Sequence, residues 1–160
     1  MHFRPSDPRS LAANELSKIL RETEELRLEF KLEYDLSGGA GSEQRKGEFA
    51  KDILSLVNTA GRDASDFAYM VIGAGDKIQE DGSRLHKSIS PGQYTSQYLL
   101  EIVNASCVPH IKEMLTQELN IDGALYCVIV LPPASHIHSF SKNVATPKRT
   151  WPKNAVHPQW

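Results

Sequence analysis

The chain has 160 residues, 40% of them hydrophobic, with 18 Lys and Arg against 20 Asp and Glu and a formal net charge of −2. This length and apolar content fill one core of ordinary domain size, and the slightly acidic balance excludes a strongly basic DNA-coating protein. The longest apolar run, Ala124 to Leu131, falls far short of the ~20 residues of a membrane-spanning helix, and the opening Met-His-Phe-Arg-Pro is no apolar signal segment, so a cytoplasmic protein with no membrane partner is expected.

In chain order, Leu11, Leu16, Ile19 and Leu20 recur at helical spacing over residues 11–22, and Ser10 stands where an N-cap is expected. Leu26, Leu28 and Phe30 then alternate with Arg27, Glu29 and Lys31, the period of a half-buried strand. Gly38-Gly39-Ala40-Gly41-Ser42 lacks the Gly-Lys-Ser/Thr ending of a phosphate-cradling loop and is expected to be a plain connection. Phe49, Ile53, Leu56, Val57 and Ala60 line one side of a helix over 46–60, with Gly61 placed to end it.

Phe67 to Ile72 reads as a buried strand that leaves Asp76 at its exit after Gly73-Ala74-Gly75. A polar stretch leads to a helix over 94–106 that carries Tyr98, Leu99, Ile102 and Val103 inward. Asp122-Gly123 is a hairpin signal between two antiparallel strands, the second of which ends at Pro132-Pro133. Everything after that is expected to run extended over the surface.

Charge is unevenly spread. Glu22, Glu24, Glu25, Glu29, Glu33 and Asp35 crowd one segment, whereas the chain after Asp122 has no acidic side chain and carries Lys142, Lys148, Arg149 and Lys153. Such a division suits a cation-binding site beside a phosphate-binding face. Cys107 and Cys127 have no CxxC spacing and are expected to be small buried hydrophobes. His136 and His138 lack companions for a zinc set and are expected at the surface, and Trp151 is expected to pack on the core. Asn58, at a helix end, is expected to bond there.

Four segments in series, Glu-Glu-Leu-Arg-Leu-Glu-Phe-Lys (24–31), Ser-Leu-Val-Asn-Thr-Ala-Gly (55–61), Tyr-Met-Val-Ile-Gly-Ala-Gly-Asp (69–76) and Val-Ile-Val-Leu-Pro-Pro-Ala-Ser (128–135), resemble the Schlafen-type Alba-like (AlbA_2) domain, a module associated with nucleic-acid binding. The resemblance covers residues 22–151, leaving 1–21 as an N-terminal helical extension and 152–160 as a tail. It implies an α+β fold with a curved, mixed or antiparallel sheet and two to three helices.

It also implies chemistry. Vertebrate members that resemble this pattern are divalent-metal-dependent endoribonucleases acting on transfer and ribosomal RNA, and the positions matching their acidic triad are Glu24, Glu29 and Asp76. Three converging carboxylates would hold Mg²⁺ or Mn²⁺, which polarises a phosphodiester and activates a water. Glu24 and Glu29 are an odd number of residues apart, so a bulge or strand start near Glu25 is required to bring them together. Lys31, Lys46, Lys148, Arg149 and Lys153 would position the nucleic-acid backbone, with RNA favoured slightly over DNA. A homodimer would supply the second half that vertebrate members possess. The alternatives are a non-catalytic DNA- or RNA-binding or protein-interaction module, and a purely structural dimerisation domain.

Overall fold

The computed structural model describes residues 5–22, 27–59, 67–133 and 137–140. The first element is α1 (Ala13–Ile19), followed by β1 (Leu28–Lys31), α2 (Ser42–Thr59) and β2 (Ala68–Ile72). Next come β3 (Ala74–Ile78), β4 (Arg84–His86), α3 (Ser96–Asn104), β5 (Cys107–Val108), β6 (Leu115–Ile121), β7 (Ala124–Leu131) and β8 (Ser139–Phe140). The main sheet has the order β1-β2-β7-β6, with β1 parallel to β2 and the other pairs antiparallel. The architecture is the expected α+β fold with a mixed sheet.

Strand periodicity divides the core in two. On β2 and β7, Ala68, Met70, Ile72, Cys127, Ile129 and Leu131 face one way, joining Phe49, Ile53 and Val57 of α2 and Leu99 and Val103 of α3. Tyr69, Val71, Tyr126, Val128 and Val130 face the other way and meet Leu16 and Ile19 of α1. Both central strands are therefore apolar on both faces, which is why they read as continuous apolar runs. The edge strand β1 alternates instead. Leu28 and Phe30 join the α1 side, so Glu29 and Lys31 point to the side that α2 covers.

The local signals were partly displaced. The N-cap of α1 is Ala12, not Ser10, and Glu15 accepts there from the backbone N–H of Ala12 at 2.9 Å. Helix α2 begins four residues before the expected start, at Ser42, because the glycine loop folds around Arg45. That guanidinium donates to the carbonyls of Asp35, Ser37 and Ala40 at 2.9, 3.1 and 2.8 Å. Ala60 and Gly61 lie outside the described residues. Thr95 caps α3, accepting from Tyr98 N–H at 3.3 Å, and Tyr98 is partly exposed instead of pointing inward.

Asp76 does not stand free at a strand exit. The chain turns at Gly73 (φ 115°) and continues as β3, which pairs with β4 in a hairpin that sequence periodicity does not reveal. The β6–β7 hairpin forms where Asp122-Gly123 predicts it, both residues having positive φ (51° and 85°). Cys107 and Cys127 are free and buried, as expected. His138 is buried, not at the surface: its Nδ1 faces the Pro109 carbonyl and lies 3.7 Å from Cys107 Sγ.

Candidate nucleic-acid interface

Alternation along β1 and helical phase along α2 bring three charged side chains to one place. Lys31 Nζ lies 3.8 Å from Glu29 Oε1 and 3.7 Å from Asp52 Oδ2 of α2. These distances are within coulombic reach but beyond hydrogen-bond length. Among the described residues the ammonium is thus held between two carboxylates while its three donors remain without a hydrogen-bond acceptor. All three side chains are partly exposed.

Tyr34 fixes Asp52 from behind. Its hydroxyl donates to Asp52 Oδ2 at 2.6 Å, and its ring meets Phe49 edge-on with centroids 4.9 Å apart. Burial, reinforced by the negative charge of Asp52, pushes the Tyr34 phenol far above its ordinary value, so it remains a donor. The Tyr94 hydroxyl brackets the same segment, accepting from Tyr34 N–H at 3.1 Å and donating to Tyr34 C=O at 2.7 Å. Further along α2, the Lys46 ammonium sits 6.0 Å from the Tyr98 ring centroid, near the outer limit of a cation–π contact. Tyr98 itself is anchored by donating to the Leu36 carbonyl at 2.8 Å.

Of the residues expected to carry chemistry, Glu29, Lys31 and Lys46 lie on this α2 side. Asp76 is exposed on β3, an element that packs against β1. Glu24, Lys148, Arg149 and Lys153, together with His136 and Trp151, lie outside the described residues. Among the described residues no three His, Cys, Asp or Glu side chains form a group able to hold a metal ion. Glu29 and Asp52 alone do not complete a Mg²⁺ or Mn²⁺ ligand set.

Sequence reasoning missed Asp52 and Tyr34. Asp52 looks like any polar residue on the outer half of an amphipathic helix, and only the approach of β1 gives it a partner. Asn58 does bond at its helix end, but to a distant segment: it donates to the His138 carbonyl and accepts from the His138 N–H, both at 2.9 Å.

The fold belongs to the open α+β class, with a four-stranded mixed sheet between α1 on one face and α2 and α3 on the other. It is similar to the solution structure of the N-terminal domain of a Nitrosomonas europaea protein whose name relates it to the ATP-dependent DNA helicase RecG. The TM-score is 0.50 over 92% of this chain and 90% of that one, at 14% identity. No family model and no curated protein matches the chain. Among the described residues no helix is long and apolar enough to cross a membrane.

Proposed function

We propose that this chain is a nucleic-acid-binding domain that contacts the phosphate backbone along α2 and the β1 edge. The observation that carries this reading is the state of Lys31: its ammonium is held in position, partly exposed, with no hydrogen-bond acceptor among the described residues. A phosphate oxygen can accept from such a group without breaking an existing hydrogen bond. Lys46 beside the Tyr98 ring adds a second cation and an aromatic face, a combination suited to a strand with accessible bases and consistent with RNA ahead of DNA. The name of the helicase-related structure supports the same class of partner.

Glu29 and Asp52 bias the site against bare phosphate, so Lys31 engages the backbone at the edge of a negative patch. A finer reading is metal-dependent RNA cleavage by Glu24, Glu29 and Asp76 with Mg²⁺ or Mn²⁺. It rests on the Schlafen-type resemblance, and on Glu29 emerging beside α2 on the strand that follows Glu24. Lys148, Arg149 and Lys153 would extend the basic surface, and a homodimer would double it.

The test is fluorescence anisotropy with labelled transfer RNA, single-stranded RNA and duplex DNA across a salt series. Binding should weaken as salt rises, and Lys31→Ala and Lys46→Ala should each lower the slope of log K against log salt by about 0.7 to 0.9. Flat salt dependence, or slopes unchanged in both variants, rejects the interface. Incubating the same RNA with Mn²⁺ or Mg²⁺, with and without EDTA, separates the finer reading: cutting that disappears in Glu29→Gln supports it, and intact RNA with retained binding leaves a non-catalytic module.

A further inference from the structure

Strand β6 closes the main sheet at the end opposite β1. It runs antiparallel to β7, with Asn120 opposite Leu125. Leu125 turns both of its backbone groups away from β6: its N–H donates to Ser88 Oγ at 3.1 Å, and its C=O accepts from Ile89 N–H at 3.0 Å. Opposed residues of an antiparallel pair exchange either both backbone bonds or neither, in alternation along the strand. Asn120 and Leu125 exchange neither, so Asn120, Glu118 and Thr116 direct their N–H and C=O groups out of the sheet. Among the described residues none of these backbone groups has a hydrogen-bond partner.

Edges that stay unpaired are ordinarily short or guarded by lysine, proline or a bulge. The strand β6 has none of these guards: it is seven residues long, contains neither lysine nor proline, and keeps one register against β7 throughout. Leu115, Leu119 and Ile121 are only partly buried on its α1 side.

On its other side stand two exposed residues with complementary spare groups. Glu118 Oε2 accepts from Gly92 N–H at 2.7 Å, and Asn120 Oδ1 accepts from Gly123 N–H at 3.0 Å. Among the described residues this leaves Glu118 Oε1 as an acceptor, and the Asn120 side-chain amine as a donor, without partners.

We propose that β6 pairs antiparallel with β6 of a second copy of this chain, about a two-fold axis at Leu119. In this register Glu118 of each copy lies opposite Asn120 of the other. The two residues exchange both backbone bonds, and the Asn120 amide donates to the spare Glu118 oxygen, once on each side of the axis. Leu119 meets its own copy, with Gln117 opposite Ile121. Centring the axis on Glu118 instead sets two carboxylates face to face, which is destabilising. Centring it on Gln117 sets Asn120 opposite Met114, which offers its amide no strong acceptor. A strand of another sequence could satisfy the backbone groups, but the reciprocal Asn–Glu match is a property of this strand with itself. The pairing does not depend on the phosphate-backbone reading of the α2 interface.

The experiment is sedimentation equilibrium of the whole chain over a concentration series. In Asn120→Asp the side chain still accepts from Gly123 N–H, so the hairpin is kept, but two carboxylate pairs now oppose each other across the axis. The dimer dissociation constant should rise about tenfold to hundredfold, and adding Glu118→Gln, which restores a donor opposite the new carboxylate, should recover most of the loss. Lys31→Ala should leave association unchanged, which separates a failure of this proposal from a failure of the α2 interface. Opposed residues that exchange no backbone bonds approach to about 4.5 Å between Cα atoms, within disulfide reach, so Leu119→Cys should cross-link two copies under mild oxidation while the buried Cys107 and Cys127 do not. Thermal melting verifies that each variant folds. A monomer throughout the series, a dimer indifferent to Asn120→Asp, a loss that Glu118→Gln does not recover, or a dimer in which Leu119→Cys fails to cross-link overturns the proposal.

Discussion

Arg84 is the clearest case of a charge spent on architecture. Its guanidinium is buried, serves three carbonyls from α1's end and from β3, and stacks 3.7 Å from the Phe30 ring centroid. Replacing it with alanine leaves those carbonyls short of a donor, so Arg84→Ala should cost about 3 kcal/mol in urea unfolding and lower Tm by roughly 6 to 12 °C. Lysine cannot reproduce the planar fork, and Arg84→Lys should recover less than half of the loss. Full recovery would mean that charge alone matters.

The alkaline limb of stability also belongs to single residues. Burial, then the charge of Glu118, pushes the Cys127 thiol from 9.0 up to about 12, and Tyr34 moves upward from 10.0. The folded state therefore holds these protons more tightly than the unfolded state. Their stabilising contribution is complete below the ordinary values and declines as pH rises from about 9 toward 12. Unfolding free energy measured from pH 8 to 11 should fall, and Tyr34→Phe should make that fall shallower.

At the scale of elements, Gly73 couples β2 to β3. It adopts φ 115°, and a Cβ there would meet Tyr126 Cδ1 at 3.0 Å and the Lys87 carbonyl at 3.2 Å. Gly82, at φ 84°, faces open space. Gly73→Ala should thus destabilise by about 2 kcal/mol or more and Gly82→Ala by only about 1, a difference that equilibrium unfolding would read directly. Asn58 ties α2 to His138, the residue before the strand β8, which pairs over Cys107. Losing both bonds in Asn58→Ala should cost about 1 to 2 kcal/mol and let a thiol reagent modify Cys107 faster than in the parent chain, with Cys127 unchanged.

What the sequence made legible follows from element length and pattern. Helix α2 and strand β7 carry enough apolar repeats to declare themselves, and Asp122-Gly123 fixes the hairpin. The pairs β3–β4 and β5–β8 consist of strands of two to five residues, too short and too polar for a period to emerge. The same limit applied to the site: alternation put Glu29 and Lys31 opposite Leu28 and Phe30 but did not reveal that α2 covers their side, and Asp52 and Tyr34 acquire their roles only through neighbours distant in sequence.

For the whole molecule, the sheet separates two chemically different surfaces. One side, along α2, presents cations near carboxylates; the other, at the end of α1, holds a cavity lined by Leu20, Arg84, Ile121 and Ala124.

The position of β1 at the end of the sheet has a further consequence, for solubility. Among the described residues β1 is the outermost strand of its sheet, and charged side chains on such a strand oppose its extension into a larger sheet. Here that strand is four residues long, with Glu29 and Lys31 between its buried apolar residues. Making both of these positions valine would yield an uninterrupted Leu-Val-Phe-Val edge, and light scattering during refolding should then rise with protein concentration. Charges placed to meet a ligand would, on this view, also keep copies of the chain from meeting one another at this edge.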